Sequence, residues 1–70
     1  MGNIVNILYQ GTPVQTAAGS IGELLRERGA DPARALVELD GEVLSPGADA
    51  QARTLSEGSK VDVFTIVAGG

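Results

Sequence analysis

The chain contains neither cysteine nor histidine among its 70 residues. Without cysteine it can form no disulfide and offers no thiolate to zinc or to an iron–sulfur cluster. Without histidine it lacks the commonest general acid–base group and the commonest metal ligand. The remaining nucleophiles are hydroxyl groups and the single lysine, Lys60, and no evident base activates a hydroxyl. We therefore expect no metal site, no bound cofactor and no catalysis by the chain alone.

Positive charge is also scarce, with five basic residues against nine acidic ones and a net charge of −4. Such a surface is a poor partner for nucleic acid or an anionic membrane, and a better one for a basic patch on another protein. No hydrophobic run is long enough for a membrane span. The N-terminal residues lack the charged and then apolar pattern of a signal peptide. We expect a single small cytoplasmic domain.

The sequence contains two strand–turn–strand patterns, one near the N-terminus and one in the middle of the chain. Residues 4–9 are rich in β-branched and aromatic side chains and predict a strand. Glycine and proline in the next four residues predict a turn, after which residues 14–17 return. A second hairpin is indicated by the strand-like run Ala35–Leu39, with Leu36 or Val37 inward, followed by the turn dipeptide Asp40-Gly41 and the short return Glu42–Leu44.

A helix is predicted between the two hairpins, from Ile21 to Arg28. Ser20 and Glu23 have the spacing of a capping box, in which the hydroxyl accepts from the N–H of Glu23 and the carboxylate accepts from the N–H of Ser20. Apolar side chains at positions 21, 24 and 25 share one helical face. Gly29 is placed to end the helix in a left-handed conformation.

The order of elements predicts the fold class. Residues 45–53 are expected to form a polar loop, Leu55 to tuck inward, and Lys60 to Val67 to form the last strand. The resulting order, β-β-α-β-β-β, indicates an α+β domain in which one main helix packs on one face of a mixed five-stranded sheet. We expect this domain to span residues 1–66.

The last strand is expected to expose an apolar face. Side chains alternate along a strand, so Val61 and Val63 point one way while Asp62, Phe64 and Ile66 point the other. Because an aspartate such as Asp62 is seldom buried, we interpret its face as open, and we predict that Phe64 and Ile66 form a partner surface. The alternative is that residues 45–53, or a twist of the sheet, cover this face.

The sequence ends with Val67-Ala68-Gly69-Gly70 directly after the last strand. Two glycines in succession carry no Cβ, so residues 67–70 are expected to form a thin flexible tail. The tail ends in a carboxylate, which is ionised at neutral pH and must be activated before it can carry a group. The alternative is a frayed terminus that happens to be rich in glycine.

With these features together, the chain resembles the ubiquitin-like β-grasp sulfur carriers of the ThiS and MoaD type, and within them the thiamin-pathway carriers. The segments that carry the resemblance are residues 17–25, 37–43, 57–64 and 67–70. A terminal Ala-Gly-Gly in a chain of this length and element order is specific in combination. The resemblance implies a protein cosubstrate that is acted on, rather than an enzyme.

The resemblance also implies the chemistry and the partners. An E1-like adenylating enzyme would use ATP to convert the Gly70 carboxylate to an acyl-adenylate. A cysteine desulfurase or sulfurtransferase would supply the sulfur that turns Gly70 into a thiocarboxylate. Val67, Ala68 and Gly69 would enter the narrow active site with it. A sulfur-accepting synthase, such as thiazole synthase, would then pass the sulfur into a small molecule.

Some positions depart from the pattern of the thiamin carriers and keep other pathways open. Asp40 stands where many of them have asparagine, and residues 44–47 replace a basic segment. The sulfur acceptor could therefore belong to molybdopterin, cysteine, homocysteine or secondary-metabolite synthesis. Two further readings are a β-grasp binding module without tail chemistry and a modifier that joins its C-terminus to lysines of other proteins.

Overall fold

The computed structural model describes residues 3–65 of the chain. Its strands and helices follow in the order β1 (Val5–Tyr9), β2 (Thr12–Thr16), α1 (Ile21–Glu27), a 3₁₀ turn (Pro32–Arg34), β3 (Ala35–Leu39), β4 (Glu42–Leu44), α2 (Ala48–Gln51) and β5 (Lys60–Thr65). The sheet has the strand order β2-β1-β5-β3-β4, in which β1 and β5 are parallel and all other neighbours antiparallel. This arrangement confirms the predicted ubiquitin-like β-grasp fold.

The core lies between α1 and the inner face of the sheet. Ile21, Leu24 and Leu25 of α1 are fully buried, together with Val37 of β3 and Val61 of β5. Each such side chain stabilises the fold by about 1.5–3 kcal/mol through its removal from water. Because strand side chains alternate, burial of these inner residues leaves their sequence neighbours on the outer face of the sheet.

The start of α1 confirms half of the predicted capping box. The Ser20 hydroxyl accepts a hydrogen bond from the Glu23 N–H at 3.3 Å. The Glu23 carboxylate, however, accepts from the N–H of Gly19 at 2.9 Å rather than from that of Ser20. The helix ends at Glu27, one residue before the predicted end, with Arg28 as its C-cap. Gly29 follows at φ +79°, the left-handed conformation that glycine adopts without steric cost.

The first hairpin turn is tighter than predicted. Gln10 and Gly11 both have positive φ, at 53° and 79°, and β2 already begins at Thr12. A two-residue turn of this kind matches the right-handed twist of the strands that it joins. Pro13 is consequently part of β2, where it pairs with Leu8. Proline is tolerated there because β2 is an edge strand.

Residues 45–53 were expected to form a loop, and this expectation was wrong for Ala48–Gln51, which form the short helix α2. A helix of four residues has no stability of its own in water. It depends on tertiary contact with α1, where Gly22 lacks a side chain. A Cβ atom at Gly22 would lie 3.1 Å from the Cβ of Gln51, so glycine permits this close approach. Ala50 is buried in the same contact region.

The predicted division into a domain of residues 1–66 and a tail of residues 67–70 falls at the limit of the described chain. β5 is described as far as Thr65, and residues 66–70 lie outside the described residues. Within residues 3–65, the longest helix is the seven-residue α1, and no helix is long and apolar enough to cross a membrane.

Candidate functional site

The outer face of the sheet carries an exposed aromatic side chain next to the C-terminal segment. The Phe64 side chain is 54% exposed, whereas its neighbour Val63 is 9% exposed and Val61 is fully buried. The structure therefore places Phe64 on the outer face, as the alternation predicts. Ile66 lies outside the described residues, so its place on this face stays a prediction.

The alternative that residues 45–53 cover this face does not hold at Phe64. Its side chain is more than half exposed. The helical part of that segment, α2, contacts α1. Phe64 is therefore accessible in the described part of the chain and available to a partner.

Leu36 and Phe64 form a small apolar patch on this face. The two residues are opposite each other in the antiparallel pair of β3 and β5, and Leu36 is half-buried. The sequence left open whether Leu36 or Val37 points inward. The structure decides between the two, because Ala35 and Val37 are both buried and alternation then sends Leu36 outward.

Two carboxylates lie beside the apolar patch. Glu38 of β3 is directly opposite Asp62 of β5, and Val43 of β4 is opposite Glu38 on its other side. Like charges directly opposite each other on neighbouring strands destabilise a sheet. The salt bridges within residues 3–65 are Arg28–Glu27 and Arg53–Glu42, so neither carboxylate of the pair has one there. A basic partner group would relieve this repulsion.

An open cleft of about 470 Å³ lies elsewhere, between β4 and α2. It is lined by residues 42–50 and by Arg53, whose guanidinium makes two hydrogen bonds to the Glu42 carboxylate at 3.0 and 3.1 Å. These bonds lower the pKa of Glu42 below its ordinary value. Arg53, the cation among the described residues that line the cleft, is already paired with a carboxylate, so these residues offer no evident anion site.

No candidate metal centre is found among the described residues. No group of three or more Asp or Glu side chains in residues 3–65 could hold a metal ion. The residues to which the sequence assigns carrier chemistry, Val67 to Gly70, lie outside the described part of the chain. Their roles therefore stay predictions, and the structure describes the strand that leads to them.

Comparison with protein families gives one result that covers nearly the whole chain. The model of the ThiS family matches residues 5–70, from the start of β1 to the last glycine. The match includes both hairpins, α1, β5 and the Gly-Gly ending. A comparison with curated proteins found no significant match.

Proposed function

The chain belongs to the ThiS family of small ubiquitin-like sulfur carriers, and on this premise we propose that Gly70 is the residue that carries the sulfur. Its carboxylate is adenylated, converted to a thiocarboxylate and used to donate sulfur to the synthesis of a small molecule, foremost the thiazole of thiamin. The observation that supports this proposal is that the family match extends through the Gly69-Gly70 ending.

The proposed reaction proceeds in steps that leave the carrier's side chains unused. A Gly70 carboxylate oxygen attacks the α-phosphate of ATP on an E1-like adenylating enzyme, and pyrophosphate leaves. The terminal sulfur of a persulfide then attacks the acyl carbon and expels AMP. A thiol cleaves the sulfur–sulfur bond, which leaves the thiocarboxylate on Gly70 and a disulfide on the donor. The chain is thus a cosubstrate, in keeping with its lack of cysteine and histidine.

We assign recognition of the adenylating enzyme to the outer face of the sheet. Phe64 and Leu36 supply an apolar contact immediately before the C-terminal segment. Glu38 and Asp62 supply negative charge beside it, which favours a partner surface with a lysine or arginine opposite them. Ile66 extends the same face if the alternation of β5 continues past Thr65.

Asp40 stands where many thiamin carriers have asparagine, and this difference does not argue against the thiamin pathway. Its side-chain oxygen accepts a hydrogen bond from the Lys60 N–H at 2.8 Å, which ties the β3–β4 turn to β5. An asparagine oxygen can accept the same bond. The change from asparagine to aspartate therefore preserves a structural contact and carries no information about the sulfur acceptor.

The test is tandem mass spectrometry of the full chain after incubation with ATP, a sulfur source and its adenylating enzyme. The expected change is replacement of one oxygen by sulfur on Gly70. Oxidation of Met1 gives nearly the same mass shift, so the change must be localised to a C-terminal fragment. An alkylating reagent provides a second readout, because a chain without cysteine has no competing thiol. The control is a chain that lacks Gly69 and Gly70.

An unmodified Gly70 in the presence of an active partner enzyme would contradict the carrier function and favour the binding module. If the thiocarboxylate forms, its incubation with thiazole synthase identifies the pathway. Release of free carboxylate together with sulfur transfer to the thiazole precursor supports the thiamin assignment. Transfer only with a different acceptor enzyme would move the protein to another sulfur pathway. Higher-mass protein conjugates would instead indicate a modifier.

A further inference from the structure

At the end of β1, a side chain rather than the backbone continues the hydrogen bonding to β5. The parallel backbone ladder between the two strands reaches Gln10, whose N–H donates to the Val61 carbonyl at 2.9 Å. At this point Gln10 turns into the hairpin, with φ at +53°. In a continuing parallel ladder, the backbone carbonyl of Gln10 would next accept from the N–H of Val63. The turn removes that carbonyl from the ladder.

The side chain of Gln10 takes over the missing interactions. Its Oε1 accepts a hydrogen bond from the Val63 N–H at 3.0 Å, and its Nε2 donates to the Val63 carbonyl at 2.8 Å. A carboxamide offers the same C=O and N–H groups as a peptide unit. The side chain therefore extends the ladder by one residue of β5 after the β1 backbone has turned away. We call this pair of hydrogen bonds the Gln10 clamp.

The backbone conformation of Gln10 is one that glutamine seldom adopts, whereas the length of its side chain suits the clamp. Positive φ is uncommon for residues other than glycine, and asparagine and aspartate are the types enriched there. Glutamine has one more methylene than asparagine, and this extra length lets its carboxamide span the gap to β5. The opposite side of β5 is paired with β3 as far as Thr65. Val63 is thus held by Gln10 on one side of β5 and by β3 on the other side.

We propose that Gln10 is a positioning residue for the C-terminal segment, because the clamp holds β5 on its β1 side as far as Val63, two residues before Thr65, where the described strand ends. This inference rests on the proposed function. Five residues follow Thr65, and they can span at most about 16–18 Å. A segment with a fixed origin loses less conformational freedom when it enters a partner's active site. The clamp should therefore strengthen productive docking without changing the chemistry at Gly70.

The test uses Gln10→Asn in the full chain. Asparagine suits the left-handed conformation of the turn but is too short to keep both hydrogen bonds to Val63. The matched control is Gln15→Asn, the same chemical change at an exposed position of β2. Amide hydrogen exchange reports the clamp directly. In Gln10→Asn we expect exchange at Val63 to accelerate about 5-fold or more, since its N–H loses its partner. Exchange at Val61, which is held by backbone pairing with β1, should change little.

The second readout is steady-state adenylation of both variants by the partner enzyme. We expect KM for the carrier to rise about 5-fold in Gln10→Asn with kcat unchanged, because the bound state of the C-terminal segment is the same. Gln15→Asn should match the unsubstituted chain in both parameters. Gln10→Glu should give an intermediate KM, because its carboxylate can accept from the Val63 N–H but cannot donate to the Val63 carbonyl.

Two results would overturn the inference. Unchanged exchange at Val63 in Gln10→Asn would show that the clamp does not hold β5. Faster exchange with an unchanged KM, or an equal KM effect in Gln15→Asn, would show that the clamp has no positioning role. Failure of the proposed function is distinguishable from both, because the unsubstituted chain would then not be adenylated, and the positioning role would fall with it.

Discussion

Asn6 and Glu57 form a two-point contact across 51 positions of the chain. The Asn6 backbone N–H donates to one carboxylate oxygen of Glu57 at 2.9 Å, and the Asn6 side-chain amide donates to the other at 3.0 Å. The contact fastens the turn before β5 to the beginning of β1. The hydrogen bond from the Asn6 backbone, followed by that from its side chain, lowers the pKa of Glu57 below its ordinary value.

This contact predicts an acid-sensitive part of the stability. Because the pKa is lower in the folded state, the contribution of Glu57 is fully present above its unfolded value of about 4.3 and is lost as the pH falls through the folded value. Glu57→Gln should be less stable than the unsubstituted chain at pH 7 and should lose less stability on acidification. Urea denaturation at pH 7 and pH 3 measures the difference. Asp49→Asn, at an exposed carboxylate of α2, is the control. If Glu57→Gln and the unsubstituted chain lose the same stability between pH 7 and pH 3, the prediction is contradicted.

Phe64→Ala should weaken binding of the adenylating enzyme while it leaves the fold intact. Loss of an anchor side chain at the centre of an interface costs about 2 kcal/mol, or roughly 30-fold in Kd. The thermal midpoint should change little, because the side chain is 54% exposed. Ile4→Ala is the matched control, since Ile4 is 65% exposed and precedes β1 at the other end of the sheet. If Phe64→Ala mainly lowers Tm, Phe64 contributes to the folded core rather than to an interface.

Glu38→Gln should have opposite effects on stability and on binding. It removes the like-charge contact with Asp62, which should stabilise the domain by about 0.2–1 kcal/mol. It also removes one of the charges proposed to face a basic partner group, so Kd for the adenylating enzyme should rise and become less dependent on salt. Calorimetric titration at two salt concentrations measures the second effect. Asp49→Asn is again the control, and unchanged binding by Glu38→Gln would remove Glu38 from the proposed interface.

Thr16→Val should destabilise the domain by about 1–3 kcal/mol. The buried Thr16 hydroxyl donates to the Glu27 carboxylate at 2.7 Å and accepts from the Ala18 N–H at 3.0 Å. Valine has nearly the same shape but leaves this N–H without its partner. Thr16→Ser keeps the hydroxyl and serves as the control in urea denaturation. Equal stability of the two variants would show that the hydroxyl contributes nothing.

Gly70→Ala should leave the fold unchanged and slow adenylation. A Cβ atom at the last position would displace the carboxylate from the α-phosphate in a narrow channel, and a shift of about 1 Å costs roughly 10²-fold in rate. The measurement is the rate of pyrophosphate release, with the melting curve of the variant as a check on folding. Normal turnover by Gly70→Ala would contradict the narrow-channel argument.

The parts of the fold that were predicted correctly are those whose cause is local. The Asp40-Gly41 turn, the Ser20 cap and the apolar positions of α1 are each specified by residues within a few positions of one another. The outward position of Phe64 also follows from alternation along one strand. Helix α2 was missed because a four-residue helix has no stable local pattern. Its stability comes from packing beside Gly22.

The sequence by itself determined the order of the five strands and of α1, the outward position of Phe64 on β5, the absence of thiol and imidazole chemistry and the Gly-Gly ending. These properties follow from residue type and short-range spacing. Only the tertiary structure decided which distant groups meet. The Gln10 clamp on Val63 joins positions 53 apart, and the opposition of Glu38 and Asp62 depends on the register of two strands. Such contacts depend on how the whole sheet is assembled, and no local pattern in the chain records them.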